Sequence, residues 1–208
     1  MLMRKRVFIL MTALVMAFGI SACGTTEEAA VEEENVTIED SESEPEVDGR
    51  AYGYAGSDPV EAAVYKYLAE EVSKDYDDAE VHIPTVNIVH IDFTPKDEIL
   101  VYGDFWIENY NVEGDTLKCV SGGHYPGMMQ VSKDYVVTDF KQAADGEDFD
   151  SSAKEIFGDH YDDFMKIYSD SDLRNELRKV TVTDYVNLNG LSVTKFQDEG
   201  WDPVEIYH

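Results

Sequence analysis

The chain has 208 residues, with 44 acidic against 16 basic side chains and a formal net charge of −28. That sign excludes a nucleic-acid binder, because contact with phosphate backbones depends on clustered Lys and Arg. It equally disfavours adhesion of the folded part to anionic lipid by charge alone.

The first segment predicted is a targeting one. Arg4, Lys5 and Arg6 precede an unbroken apolar run over residues 7–20 (VFILMTALVMAFGI). A bilayer-spanning helix needs roughly 20 apolar residues, so this run is too short and fits the core of a secretory signal. Ser21 and Ala22 follow, and then Cys23. The ISAC stretch resembles the lipobox of bacterial lipoproteins, with Ile20 where Leu is usual. The resemblance implies removal of residues 1–22 and a diacylglycerol on the Cys23 thiol. The chain would then be lipid-anchored on the extracytoplasmic face of the cell membrane. Each lipid CH₂ buried contributes about 0.8 kcal/mol, and more than one acyl chain gives a stable anchor.

Residues 23–50 read as the lipidated cysteine and a tether. The part from 24 to 50 holds 11 acidic residues, one basic residue and no aromatic. Such a segment buries too little apolar surface to offset the entropy of ordering it, and its like charges keep it extended. Residues 51–208 carry 33 acids against 12 bases and are long enough for a single domain with a substantial core. With Cys23 acylated, Cys119 is the one remaining thiol, and its setting in LKCV suits a small core residue.

Within the domain, Asp58 and Pro59 open a helix on which Val60, Ala63, Val64, Tyr67, Leu68 and Val72 recur at helical spacing. From residue 86 the period changes to two. VNIVHIDF (86–93) and ILVYGDFWIENYNV (99–112) predict two strands joined by TPKDE. A tight turn at Glu113-Gly114-Asp115 leads to a third, interrupted by Gly122-Gly123 and Pro126-Gly127. Ser132-Lys133-Asp134 then turns into a fourth, YVVTDFKQ. Short turns imply an antiparallel meander. Two helices are expected next, one capped by Asp150 or Ser151 and one capped by Asp172, running towards Leu188 and ended by Gly190.

The expected fold is therefore α+β: an N-terminal helix packed on a bent four-stranded antiparallel meander, with C-terminal covering helices. In layout it resembles the cystatin-like and NTF2-like folds, and the whole chain resembles the small lipoproteins of Gram-positive bacteria. Those resemblances imply a binding or accessory role.

The second predicted strand has two unlike faces. Ile99, Val101, Phe105 and Ile107 form an apolar side that should meet the first helix. Leu100, Tyr102, Asp104, Trp106, Glu108 and Tyr110 form an aromatic side carrying carboxylates, the composition of a ligand-facing wall or of a half-covered sheet face. A turn centred on Gly114 places His124 opposite Asp104, with Tyr102 and Tyr125 close by and His90 arriving from the first strand. A carboxylate beside a histidine orients the ring, as in half of an acid–base pair or a structural hydrogen bond. The candidate ligand-binding residues are thus His90, Tyr102, Asp104, Trp106, His124 and Tyr125.

His124 and Asp104 are the sole candidates for catalysis, which no GxSxG, HExxH, CxxC or phosphate-loop motif supports. No metal or cofactor is expected. DGEDFD (145–150) and SDSD (169–172) lack the order of a calcium loop and sit where helix caps belong. The expected function is a membrane-anchored ligand-binding or accessory module for a small molecule, peptide or surface protein. The alternatives are an NTF2-like enzyme and an interaction domain without a pocket.

Overall fold

Asp58 starts the first helix as its composition requires. Its side chain accepts from the N–H groups of Val60 and Glu61 at 2.8 and 3.1 Å, and Pro59, which has no N–H to lose, fills the first turn. A computed structural model describes residues 53–76 and 79–207. The segments expected to be a signal (1–22), a lipidation site (Cys23) and a tether (23–50) lie outside the described residues. Helix α1 (Pro59–Glu70) buries Val60, Ala63, Val64, Leu68 and Ala69.

The fold is α+β around a mixed, seven-stranded sheet. Its spine is β2 (Glu98–Glu113), paired along one edge with antiparallel β1 (Val81–Asp92), so that Val81 faces Tyr110 and Asp92 faces Leu100. Pro84 sits inside β1, and the register slips between Ile88 and His90. Along its other edge β2 meets two strands in line, β3 (Thr116–His124) and then β4 (Gly127–Ser132). The expected bent third strand is therefore present in two pieces. Gly122 and Gly123 remain in the ladder, and the break falls at Tyr125 and Pro126. Even there, Tyr125 N still donates to Phe105 O at 2.8 Å. Strand β5 (Val137–Gln142) pairs antiparallel with β4.

The four-stranded expectation misses the tail. Strand β6 (Lys195–Gln197) lies parallel to β3, and β7 (Val204–Glu205) folds back on β6. The outer edge of β3 thereby gains partners, with Thr194 N donating to Asp115 O at 2.9 Å and Ile206 N to Thr194 O at 3.0 Å.

The first of the two expected covering helices is divided. Gly158, at φ +51°, ends α2 (Phe149–Phe157), and after one 3-10 turn α3 (Tyr161–Tyr168) begins. That dihedral is one an L side chain rarely takes, which is why the chain turns at this residue. Neither expected cap is the one used. Helix α2 starts after Asp148, and Asp150 instead holds Lys154 at 2.6 Å and accepts from the Tyr161 hydroxyl. Helix α4 (Ser171–Leu188) is capped by Asp170, which accepts from Leu173 N at 2.9 Å, rather than by Asp172. The β-branched VTVT stretch stays helical, with Thr181 and Thr183 hydroxyls donating back to Leu177 O and Lys179 O. Gly190, at φ +63°, follows the helix end as expected.

The layers follow from the alternation on β2. Val86, Ile99, Val101, Phe105 and Ile107 face α1 and form an aliphatic core with Val64, Leu68, Met129 and Val131. On the opposite face α4 covers Val81, Ile83, Tyr110 and Leu117, while Phe157 of α2 and Phe164 of α3 pack over Tyr102 and Met128. Each fully buried Leu, Ile, Val or Phe contributes roughly 1.5–3 kcal/mol, so both faces are needed.

Candidate functional site

The even-numbered residues of β2 point away from α1, and their neighbours across β1 and β3 build the site. Asp104 is 3% exposed. One of its carboxylate oxygens contacts His124 Nε2, and the other accepts from Trp106 Nε1 at 3.3 Å. The expected pair is present, but the register differs: His124 lies opposite Trp106, and it reaches Asp104 diagonally. The turn at Gly114 offsets the strands by one residue from the expected alignment and the bulge between Asn109 and Tyr110 adds a second, and a two-residue shift leaves every side chain on the same face.

The pair sits inside a stack. The His124 ring lies 3.8 Å from that of Trp106, centroid to centroid and tilted by 11°, and 5.4 Å from Tyr168 of α3. The Arg174 guanidinium of α4 lies 4.6 Å over the same indole. Tyr168, His124, Trp106 and Arg174 thus follow one another by contact, tying the end of α3 and the start of α4 to the sheet. Both oxygens of Asp104 are occupied.

The remaining candidates divide into two places. His90 and Tyr102 do share a cluster, but their partner is His160 from the turn between α2 and α3. His90 and His160 stack at 3.8 Å, and Tyr102 lies 6.1 and 5.8 Å from them. Tyr125 is on the other face of the sheet, where its hydroxyl meets that of Tyr76 and its ring packs against the α1 core. It sits one residue after His124, so strand alternation sends it the opposite way. Among the described residues, no group of three or more His, Cys, Asp and Glu is placed to hold a metal ion.

The chemistry that sequence reasoning missed is one step along β2. Arg178 of α4 donates from Nε to the Tyr110 hydroxyl at 2.9 Å, and from both terminal nitrogens to the two oxygens of Asp198 at 2.8 and 2.6 Å. Glu108, 8% exposed, lies 3.6 Å from the same guanidinium and accepts from Thr85 Oγ1 at 3.3 Å. Burial pushes the Glu108 carboxyl up to about 7, against the pull of Arg178 and the Thr85 hydrogen bond. Burial likewise pushes the Cys119 thiol up to about 11, so it is protonated at neutral pH and no nucleophile. Asp198 moves the other way, held below its ordinary value by the Arg178 hydrogen bonds.

Over this cluster lies a groove of about 400 Å³ between α4 and the β6–β7 turn, walled by Arg174, Arg178, Phe196, Asp198, Trp201 and Val204. Trp201 is 74% exposed. The signal that finds the place is in the sequence: Arg174 and Arg178 are the two arginines after residue 50, and they stand one helical turn apart. Comparison of the chain with protein-family models, with curated proteins and with solved structures finds no match.

Proposed function

We propose that the chain is a lipid-anchored extracytoplasmic binding module, presented on an acidic tether and recognising its ligand in the groove between α4 and the β6–β7 turn. The observation that carries the binding role is the exposed Trp201 beside Arg174 and Arg178. An indole left in water forgoes the stabilisation of burial, and Trp and Arg are the side chains that dominate recognition surfaces. The groove's volume falls within the roughly 300–1,000 Å³ of small-ligand sites. Anchoring rests on the ISAC stretch after a basic and apolar leader. The same reading takes the fold as cystatin-like or NTF2-like. Helix α1 lying across antiparallel β1–β5 supports that likeness, whereas parallel β6 and the α2–α4 layer depart from it.

An NTF2-like enzyme is the second reading, favoured by the His124–Asp104 contact. The stacked ring and the fully engaged carboxylate suit the pair better to fixing the junction of α3 and α4 than to moving protons. A domain without a pocket is disfavoured by the groove itself.

Cys23→Ser tests the anchor. The variant is expected to leave the membrane fraction or to retain its leader, and wild-type fractionation and migration would overturn the lipoprotein reading.

A further inference from the structure

The groove carries chemistry specific enough to name a ligand class. Its two arginines are in unlike states. Arg178 is paired bidentately with Asp198 and lies 3.6 Å from Glu108, whereas the Arg174 guanidinium makes no hydrogen bond or ion pair among the described residues. In a domain so acidic, a guanidinium with no carboxylate in salt-bridge contact stands out. Its Cζ rests 4.6 Å over Trp106, which is held in turn by His124 and Asp104, so the side chain is partly ordered before a ligand arrives.

The backbone that carries the apolar side is also fixed. Gly200, at φ +79°, makes the turn that presents Trp201. Trp201 N donates to Asp198 O at 3.2 Å, and Gln197 Nε2 donates to Trp201 O at 2.5 Å. The bidentate Arg178–Asp198 pair fastens this turn to α4. Phe196, buried with the Arg178 guanidinium 4.9 Å over its ring, lies at the floor, and the exposed Val204 forms one side. A third feature lies at the rim, where Asp202 and Asn175 can accept a hydrogen bond. One free guanidinium, an aromatic wall and a nearby acceptor suit three groups of one ligand: a carboxylate, an apolar side chain and an amide N–H.

Resting on the binding reading above, we propose that the groove takes the C-terminal residue of a peptide. Its α-carboxylate pairs with Arg174, its apolar side chain lies against Trp201 and Val204, and its backbone N–H faces Asp202. A planar bidentate guanidinium suits a carboxylate better than a point charge does. The sources of such a group are a free short peptide and the end of a protein chain.

The test follows the indole N–H signals of Trp201 and Trp106 by NMR in the full chain, titrated with N-acetyl-phenylalanine, its C-terminal amide, and the hexapeptide AAAAAF. The acid is expected to shift the Trp201 signal with at least tenfold higher affinity than the amide. Arg174→Gln should remove that preference, and Trp201→Ala, a change at an exposed turn, should abolish binding with the circular dichroism spectrum retained. Tighter binding of the hexapeptide identifies a chain terminus, and equal affinity identifies a free short peptide. Acid and amide binding equally well would overturn the carboxylate assignment while leaving a binding groove. No Trp201 shift with any probe at millimolar concentration would overturn both.

Discussion

The two faces of the sheet solve the same burial problem by different means. Against α1 the buried cluster is apolar: Val60, Val64, Leu68, Val86, Val101, Phe105 and Ile107 meet, with tyrosines packed at its margin. Against α2–α4 the same strand buries Asp104, Glu108 and Tyr110, each offset by a partner from another element. The first face is stabilised mainly by buried area and tolerates well-fitting changes of shape. The second is stabilised only while its partners are complete, because a buried charge left alone costs several kcal/mol. The difference explains why the groove opens on the second face: specific polar side chains are already held there in fixed orientation.

The largest expected effect comes from breaking the polar face. Arg178→Ala leaves Glu108 and the Tyr110 hydroxyl buried without their cation and releases the β6–β7 turn from α4, at a cost of roughly 3–5 kcal/mol. The matched change on the dry face, Leu68→Ala, costs roughly 2–5 kcal/mol through the cavity it leaves. Urea denaturation of both reads the comparison. A loss under about 1 kcal/mol for Arg178→Ala would mean that the face does not depend on its pairing.

A smaller effect sharpens it through pH. The folded-state value of Glu108 lies above its unfolded value, about 7 against 4.5. Its contribution to stability is therefore whole below about pH 4.5 and is lost as pH rises through about 7, a change of about 3 kcal/mol. Glu108→Gln removes this dependence, so the variant's stability curve between those pH values should be flatter than that of the wild type. Parallel curves would contradict the burial assigned to this carboxyl.

The smallest effect is at the stack. Asp104→Asn keeps the shape but weakens the contacts to His124 and Trp106, at a cost of about 1–3 kcal/mol by chemical denaturation. Because the stack joins sheet to helix, amide exchange should quicken at Tyr168 and Arg174 before it quickens in α1.

What was legible in the sequence was what depends on near neighbours. Alternation on β2 gave both faces, the Asp58–Pro59 start of α1 was visible, and His124 could be matched to Asp104 despite a misjudged register, since both faces repeat every second residue. The same alternation places Tyr125 opposite to His124, a consequence the turn arithmetic overlooked. The division at Gly158 was hidden because the apolar spacing of Ile156, Phe157, Phe164 and Tyr168 continues across the break. The β3–β6 pairing and the Arg178–Tyr110 bond join residues far apart in the chain, and nothing local in LSVTKFQ or NELRK announces either partner.

Pro84, buried in the middle of β1, reaches beyond the packing of the domain. Among the described residues β1 pairs with β2 alone, which leaves its outer rim as a row of backbone groups that another chain could zip onto. That row is interrupted three times. Pro84 has no N–H to give, the Tyr65 hydroxyl bonds the Val86 backbone two residues later, and the bulge before His90 twists the strand out of line. This edge of the sheet therefore offers no continuous row of N–H and C=O groups to a further strand.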